Sequence, residues 1–515
     1  MAVSMTPDRQ ADAVPGAVAV ATFIPRRLLF ALGVAALIHV ARSAGVLVDF
    51  WDAVRYSFEI DYGEGIVWQQ AELFGTDRMY APVTGFPFIV FHYPPLYYAL
   101  VAVVRPLFDD ALAAGRAVSV AASIALAALI SCTVWRASSP STSRARLVLA
   151  GIAGLAVLCS GNVWTWGLLM RVDMVAVALS FLGLLIAHRS GGRFGPTVLA
   201  LLVCTAAVFT KQTQVSAGIA VFAVALMQRP RSALVAAGCV GSAGLALVTV
   251  LQLRTAGGFL HHIVSYNVNP MSWSYFVAVL QAEGRDKILL GVGLISAIQT
   301  CRILLHSPRI LSKIRSDSVT ASRVLAITHY GLCVLTLPAI AKEGSNTNYF
   351  IEFLASGGIL SGIAAVALCE QARWQWLVCQ QAVLCIAAVA NPFLAMPDQE
   401  RAQDSPAQWA IVQRIRQSER PVSSENMTLL MRAGRPVLYE PAIITHLSNS
   451  GDWDQTPLLA AIRARKFGFM LTIDNGLSRG SLRTPAVDAA MRAAYPRVEY
   501  AAPGIWMNLP VVRTE

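Results

Sequence analysis

Long apolar stretches separated by short polar breaks run from about residue 26 to residue 395. A helix needs roughly 20 mostly apolar residues to cross the hydrocarbon of a bilayer. Windows near that length lie at approximately 26–48, 113–135, 145–163, 168–188, 195–210, 213–228, 232–254, 287–305, 322–341, 348–369 and 374–395. The pattern predicts an all-α polytopic membrane bundle of about 11 to 12 transmembrane helices. The doubtful twelfth is the apolar stretch Phe86 to Phe108, which would reverse every later loop. The basic run Arg136 to Arg146 requires 86–135 to cross a net odd number of times, so Tyr93 to Leu107 is expected to be short, tilted or re-entrant.

After residue 395 the pattern changes to a polar tail, 396–515, with signals of its own. In DSPAQWAIVQRIRQ, Asp404 or Ser405 reads as a helix cap with Pro406 at the first position. In TPLLAAIRARKFGFMLTID, Thr456 reads as a cap, Pro457 as the opening, Gly468 as a breaker and FMLTI as a buried strand; RPVLY reads as another strand. These signals predict a small C-terminal α/β domain outside the membrane.

Composition supports the membrane reading, because 56% of residues are apolar and only 14% charged. The net charge of +11 matters through its placement. Arg136, Arg144, Arg146, Arg189, Arg193, Arg229, Arg231 and the run Arg302 to Arg323 lie between apolar windows, as cytoplasmic loops do under the positive-inside rule, which excludes nucleic acid as the expected partner. With Arg26 and Arg27 ahead of the first window, 1–25 is a cytoplasmic tail, and the segments 49–90, 164–173, 211–213, 255–286, 342–348 and the tail face outward. The first window reads as an uncleaved signal anchor. The nine Cys lie in or at the ends of apolar segments without metal or disulfide spacing, and read as packing residues.

The outward segments hold the candidate chemistry. DFWDAVRYSFEIDYGEG carries Asp49, Asp52, Glu59, Asp61 and Glu64. A carboxylate at the membrane surface can remove a proton from an acceptor hydroxyl, and Asp61 and Glu64, three apart, would share one side of a helix. FHYPPLYYAL crowds His92, Tyr93, Tyr97 and Tyr98 around Pro94 and Pro95, which pre-set an extended entry into a helix. Arg171, Asp173, Lys211, Gln212, Lys342 and Glu343 put charge or amide at outward window ends, where cations suit a phosphate. KEGSNTNYFIE brings Asn346, Asn348, Tyr349 and Glu352, which suit sugar hydroxyls. HHIVSYNVNP, with His261, His262, Tyr266 and Asn267, is placed to cover such a cavity.

An acidic loop after the first span, then FHYPPLYY, RVD, TKQT and EGSNTNYFIE, in that order over residues 26–395, resembles the GT-C superfamily of membrane glycosyltransferases, in the style of aminoarabinose transferase and protein O-mannosyltransferase. The resemblance implies a transmembrane glycosyltransferase domain with a large first outward loop (49–90), an acidic catalytic base and a polyprenyl-phosphate sugar donor. The acidic pair falls nearest Asp61 and Glu64, and the proline mouth on Pro94 and Pro95. The chain departs where relatives carry adjacent Asp-Glu, having Gly63-Glu64, and where the aminoarabinose enzymes carry Glu-Lys before the prolines, having His92-Tyr93.

The expectation is then inverting transfer of a hexosyl or pentosyl group to a lipid, glycan or protein hydroxyl at the outer face of a bacterial inner membrane. Catalysis is assigned to Glu64 or Asp61 and donor-phosphate binding to Arg171, Lys211 and Lys342. Substrate binding is assigned to His92, Tyr93, Asp173, Gln212, Asn346, Asn348, Tyr349 and Glu352, with the tail periplasmic. No cofactor is assigned with certainty, and a divalent metal stays open. The alternatives are a lipid-linked-sugar flippase without chemistry, which an inverted repeat of broken helices would favour, and a polysaccharide polymerase or ligase, which would call for an Arg-rich outer loop where 255–286 has only Arg285.

Overall fold

The computed structural model describes residues 25–510, apart from 138–142, 283, 285, 343, 391–397 and 474–481; Arg285 and Glu343 therefore lie outside the described residues. The apolar region opens with α1 (Arg26–Arg55), followed by α2 (Tyr62–Glu72) and α3 (Leu96–Val104) in the first loop. It continues through α4 (Ala111–Arg136), α5 (Ser143–Leu158), α6 (Gly161–Gly167), α7 (Asp173–Ala187), α8 (Phe194–Val208), α9 (Ser216–Gln228) and α10 (Pro230–Arg254). Then come α11 (Gly258–Ile263), α12 (Trp273–Ala282), α13 (Lys287–Leu305), α14 (Ile310–Ser316), α15 (Ser318–Thr336), α16 (Phe350–Glu370) and α17 (Trp374–Ala390).

Among the described residues, six helices are long and apolar enough to cross a membrane: α1, α4, α10, α13, α15 continued to Ala341, and α16 with its lead-in from Thr347. The stretch Arg144–Leu158 and α6 would qualify together as a pair bent by 61°. α7, α8, α9, α17 and Leu96–Leu107 are apolar but shorter. Fifteen-residue helices such as α7 and α8 span only about 22 Å, less than the roughly 30 Å of a bilayer core. Their polar ends, Asp173 and Lys211, are consequently enclosed by the bundle, the setting in which non-helical backbone is tolerated at depth.

α16 is the central helix, enclosed over almost its whole length, whereas α10 is peripheral. Small residues permit this. A Cβ on Gly358 would lie 2.5 Å from Val157 Cγ2, and one on Gly362 2.6 Å from Val134 Cγ2, so α4 and α5 pack against bare backbone. The first turn of α16 is thereby held in the middle of the molecule.

The element after the prolines is short, as expected. α3 starts beside Phe209, whose carbonyl accepts the Leu96 N–H. The chain returns by Asp110, which is paired with Arg432 of the tail. Val103 and Leu107 are exposed.

The tail comprises α18 (Asp398–Gln417), β1 (Ser423–Ser424), α19 (Met427–Arg432), α20 (Pro441–Ser450), α21 (Thr456–Arg463), β2 (Met470–Ile473), α22 (Pro485–Ala494), β3 (Arg497–Ala502) and β4 (Ile505–Leu509). Its sheet has the order β1-β2-β4-β3, with β1 and β2 parallel and the other pairs antiparallel. FMLTI contributes β2 as read. Three readings are corrected. Pro406 lies inside α18 and does not open it. Thr456 is the first helical residue of α21, and Gln455 occupies the cap position. RPVLY makes no strand of the sheet, forming one parallel bridge between Tyr439 and Phe88 of the first loop.

That bridge shows the tail's core to be shared. Val83, Phe88 and Val90 are buried among Ile443, Leu447, Leu458 and Met491, and Trp453 donates its indole N–H to the Val83 carbonyl at 2.8 Å. Phe88→Ala removes the ring at the centre of this joint and is expected to cost about 3–5 kcal/mol, read as a lower unfolding midpoint of the tail.

Candidate functional site

Asp61 and Glu64 form a capping box at the start of α2, and their spacing sends them in opposite directions. Glu64 is fully buried. Its two oxygens accept from Arg116 Nε and Nη2 at 2.7 Å each, and from the backbone N–H groups of Ile60 (2.7 Å) and Met170 (2.8 Å). Arg116, also fully buried, spends its remaining donors on the carbonyls of Ala53, Tyr56 and Phe58. This closed network ties the end of α1, the first loop, α4 and the turn before α7 together, leaving Glu64 no accessible lone pair. The reading of Asp61 and Glu64 as one helix face is corrected accordingly. Sequence reasoning missed Arg116, although an arginine inside the apolar window 113–135 was the available signal.

Asp61 is the open member of the pair, with its side chain 36% exposed. Its Oδ1 accepts from Gly63 N–H at 2.9 Å and faces Arg171 Nη1 at 3.4 Å. Arg171 also reaches the Tyr93 hydroxyl at 3.5 Å and lies over the Trp166 ring. Burial raises the Tyr93 phenol above its ordinary value, partly offset by Arg171. Of the other acids expected in the first loop, Asp49 lies on α1 and accepts from the Trp164 indole at 2.8 Å. Burial, then the neighbouring Glu64 and Asp61 charges, pushes the Glu59 carboxyl well above the usual carboxylate range. Gly63 is obligatory for this arrangement, because a Cβ there would overlap Arg171 Nη1 at 1.4 Å. Gly63→Ala is therefore expected to displace Arg171 from Asp61 and lower activity while the unfolding midpoint stays near that of wild type.

Beside this group lies a cavity of about 280 Å³ lined by Asp173, Lys211, Thr213, Gln214, Asn348, Tyr349 and Glu352, among others. Lys211 Nζ and Asn348 Nδ2 both donate to Asp173 Oδ1, at 2.7 and 2.8 Å, and the Lys211 ammonium lies 4.4 Å from the Tyr349 ring centroid. Asp173 Oδ2 and Asn348 Oδ1 are buried without a hydrogen-bond partner, so two acceptors are open at the cavity wall. Segments far apart in the chain converge here, placed by the short ends of α7 and α8 and the central start of α16.

The other expected residues divide. Lys342 is half-buried and lies outside the cavity lining, and burial followed by the nearby Lys211 charge lowers its ammonium below the ordinary value. Asn346 is exposed and caps the turn Thr347–Tyr349. His92 and Gln212 do not line the cavity. His92 Nε2 pairs with Glu440 of the tail at 2.9 Å, and Gln212 donates to the carbonyls of His92 and Ile263, so both hold the surrounding loops together.

The 261–267 loop likewise braces the first loop and stays out of the cavity lining. His262 Nδ1 accepts the Phe91 N–H and its Nε2 donates to the Ala81 carbonyl, each at 2.9 Å, which requires the neutral ring. Burial lowers its pKa from 6.5 to about 4. Between those values the unfolded chain takes up the proton first, so stability is expected to fall as pH drops through that window. Unfolding midpoints measured from pH 7 to pH 4 check this; a His262→Asn variant should show a shallower slope.

Deeper in the bundle, His329 Nε2 lies 2.9 Å from Glu352 Oε1 and 3.5 Å from Cys333 Sγ. The nine cysteines are all free, and Cys333 is buried beside this pair. The three donor atoms lie within 4.8 Å of one another, an arrangement able to hold a divalent metal.

No family model and no curated protein matches the sequence. The structure is similar to ArnT from Cupriavidus metallidurans bound to undecaprenyl phosphate, with TM-score 0.56 and 13% identity, covering 92% of this chain and 98% of that one. The apo state of the same protein gives TM-score 0.56 and 13% identity over 91% and 97%. The apo oligosaccharyltransferase of Archaeoglobus fulgidus gives 0.50 and 12% over 87% and 69%. The chain thus shares its fold with ArnT, in keeping with the resemblance carried by its motif order.

Proposed function

We propose that the protein is a membrane glycosyltransferase that moves one sugar from a polyprenyl-phosphate donor to an acceptor hydroxyl at the outer face of a bacterial inner membrane. The observation that carries the reading is an open carboxylate, Asp61, held against Arg171, together with a buried cavity whose lining includes the Lys211 ammonium. The fold shared with ArnT, solved with undecaprenyl phosphate, supports a lipid-phosphate donor.

In this reading the polyprenyl chain lies between helices. Lys211, Lys342 and Arg171 receive the phosphate, and Asp173, Asn348 and Tyr349 hold sugar hydroxyls. Asp61 takes the acceptor's proton as the acceptor oxygen bonds to the anomeric carbon. The bond from that carbon to the phosphate oxygen breaks on the opposite face, its electron pair leaving on the phosphate, and the anomeric centre inverts. Preorganised cations stabilise the charge that develops on the leaving phosphate. Glu64 is a positioning residue that shapes the α2 start. The tail covers the acceptor side, on the periplasmic face.

The test is transfer by purified protein from radiolabelled polyprenyl-phosphate sugars to a membrane extract. Transfer by wild type and its loss in folded Asp61→Asn support the reading. Label that only changes leaflet in proteoliposomes, with no product formed, would replace the transferase with a flippase.

A further inference from the structure

We infer that His329, Cys333 and Glu352 form a zinc site that ties α15 to α16 beside the cavity. All three side chains are buried, and His329 Nε2, Cys333 Sγ and Glu352 Oε1 converge with no basic residue among them. Zinc bonds near 2.0–2.1 Å to imidazole and 2.3 Å to thiolate place those two donors about 3.5 Å apart at a tetrahedral angle, and the structure has them at 3.5 Å. The Glu352 oxygen lies 2.9 Å from the ring nitrogen and within 4.8 Å of the sulfur, so a shift of its carboxylate completes the same geometry.

The surroundings agree with a ligating imidazole. His329 Nδ1 lies 3.1 Å from Ser356 Oγ on α16, so the second ring nitrogen can donate there and leave the Nε2 lone pair for a metal. Phe181 closes one side of the ring edge-on, at 5.4 Å between centroids. A nitrogen, sulfur and carboxylate set favours a borderline-soft ion over magnesium or calcium, which take oxygen. Charge gives a further reason. On binding, Cys333 releases its proton, and thiolate, carboxylate and Zn²⁺ sum to zero beside a neutral imidazole. A neutral cluster is far easier to keep inside an apolar bundle than an isolated ion. Glu352 also lines the cavity, so the ion has a route in from that side and would fix the cavity wall once bound.

The competing arrangement is a protonated His329 paired with Glu352 beside a neutral thiol. Metal content separates the two independently of any transfer activity. Full-length protein would be purified in detergent from zinc-supplied cells, washed briefly with a chelator, and assayed for metal; a second sample would be stripped and loaded with Co²⁺. The expected result is about one zinc per chain, loss of that zinc in Cys333→Ser, retention in the remote Cys369→Ser, and a thiolate-to-cobalt charge-transfer band in the near ultraviolet. Wild type that emerges zinc-free and gives no such band would overturn the site, as would a Cys333→Ser protein that keeps its zinc. The cobalt spectrum needs no variant, so it decides the matter even if Cys333→Ser fails to fold.

Discussion

Asp61→Asn is expected to lower transfer by about 10²–10⁴-fold, the usual contribution of a positioned base, while the protein elutes and unfolds as wild type does. The amide keeps the α2 cap through its oxygen, so little structure is lost with the charge. Glu64→Gln and Arg116→Met should behave in the opposite way. Each leaves one fully buried charge facing a partner that no longer neutralises it, a loss of about 3–5 kcal/mol, and both should shift to aggregate on size-exclusion in detergent or show sharply lower unfolding midpoints. The comparison discriminates between the two acids. A Glu64→Gln protein with a wild-type midpoint and no transfer would return the role of base to Glu64 and remove it from Asp61.

The second large effect is expected at Lys211. Lys211→Met removes the ammonium that both pairs with Asp173 and faces the cavity. Transfer should fall by about 10²–10³-fold, the scale seen when one preorganised donor to a developing anion is lost, and unlabelled polyprenyl phosphate should compete more weakly. The same change strands the Asp173 carboxylate, so the midpoint should fall as well. The double variant Lys211→Met, Asp173→Asn separates the two contributions. It should regain stability without regaining transfer, since the buried charge is gone but the phosphate's partner is still missing. Recovery of both would mean that Lys211 serves only to neutralise Asp173.

Much of this protein is legible in its hydrophobic pattern, because a chain so apolar has one main way to satisfy its backbone, and each long apolar window coincides with a helix. The short element after the two prolines was legible from charge placement alone, as was the helical and strand character of α21 and β2 from local turn chemistry. The separation of Asp61 from Glu64 was half legible. Their spacing carries the capping-box signal as well as the shared-face one, and choosing between them requires knowing where the helix starts. What only the tertiary structure decided concerns pairs distant in sequence. Arg116 reads as an isolated charge in a span until Glu64, 52 residues earlier, is seen against it. Asp173, Lys211 and Asn348 become one site only through two short helices and the central α16. His92 looked like a ligand for the cavity and turned out to hold the tail through Glu440. Local sequence determines which residues prefer a helix or a turn, since those preferences act within a few residues. Which polar group meets which across hundreds of residues is settled by packing, because a buried charge has to find its partner wherever the fold brings one.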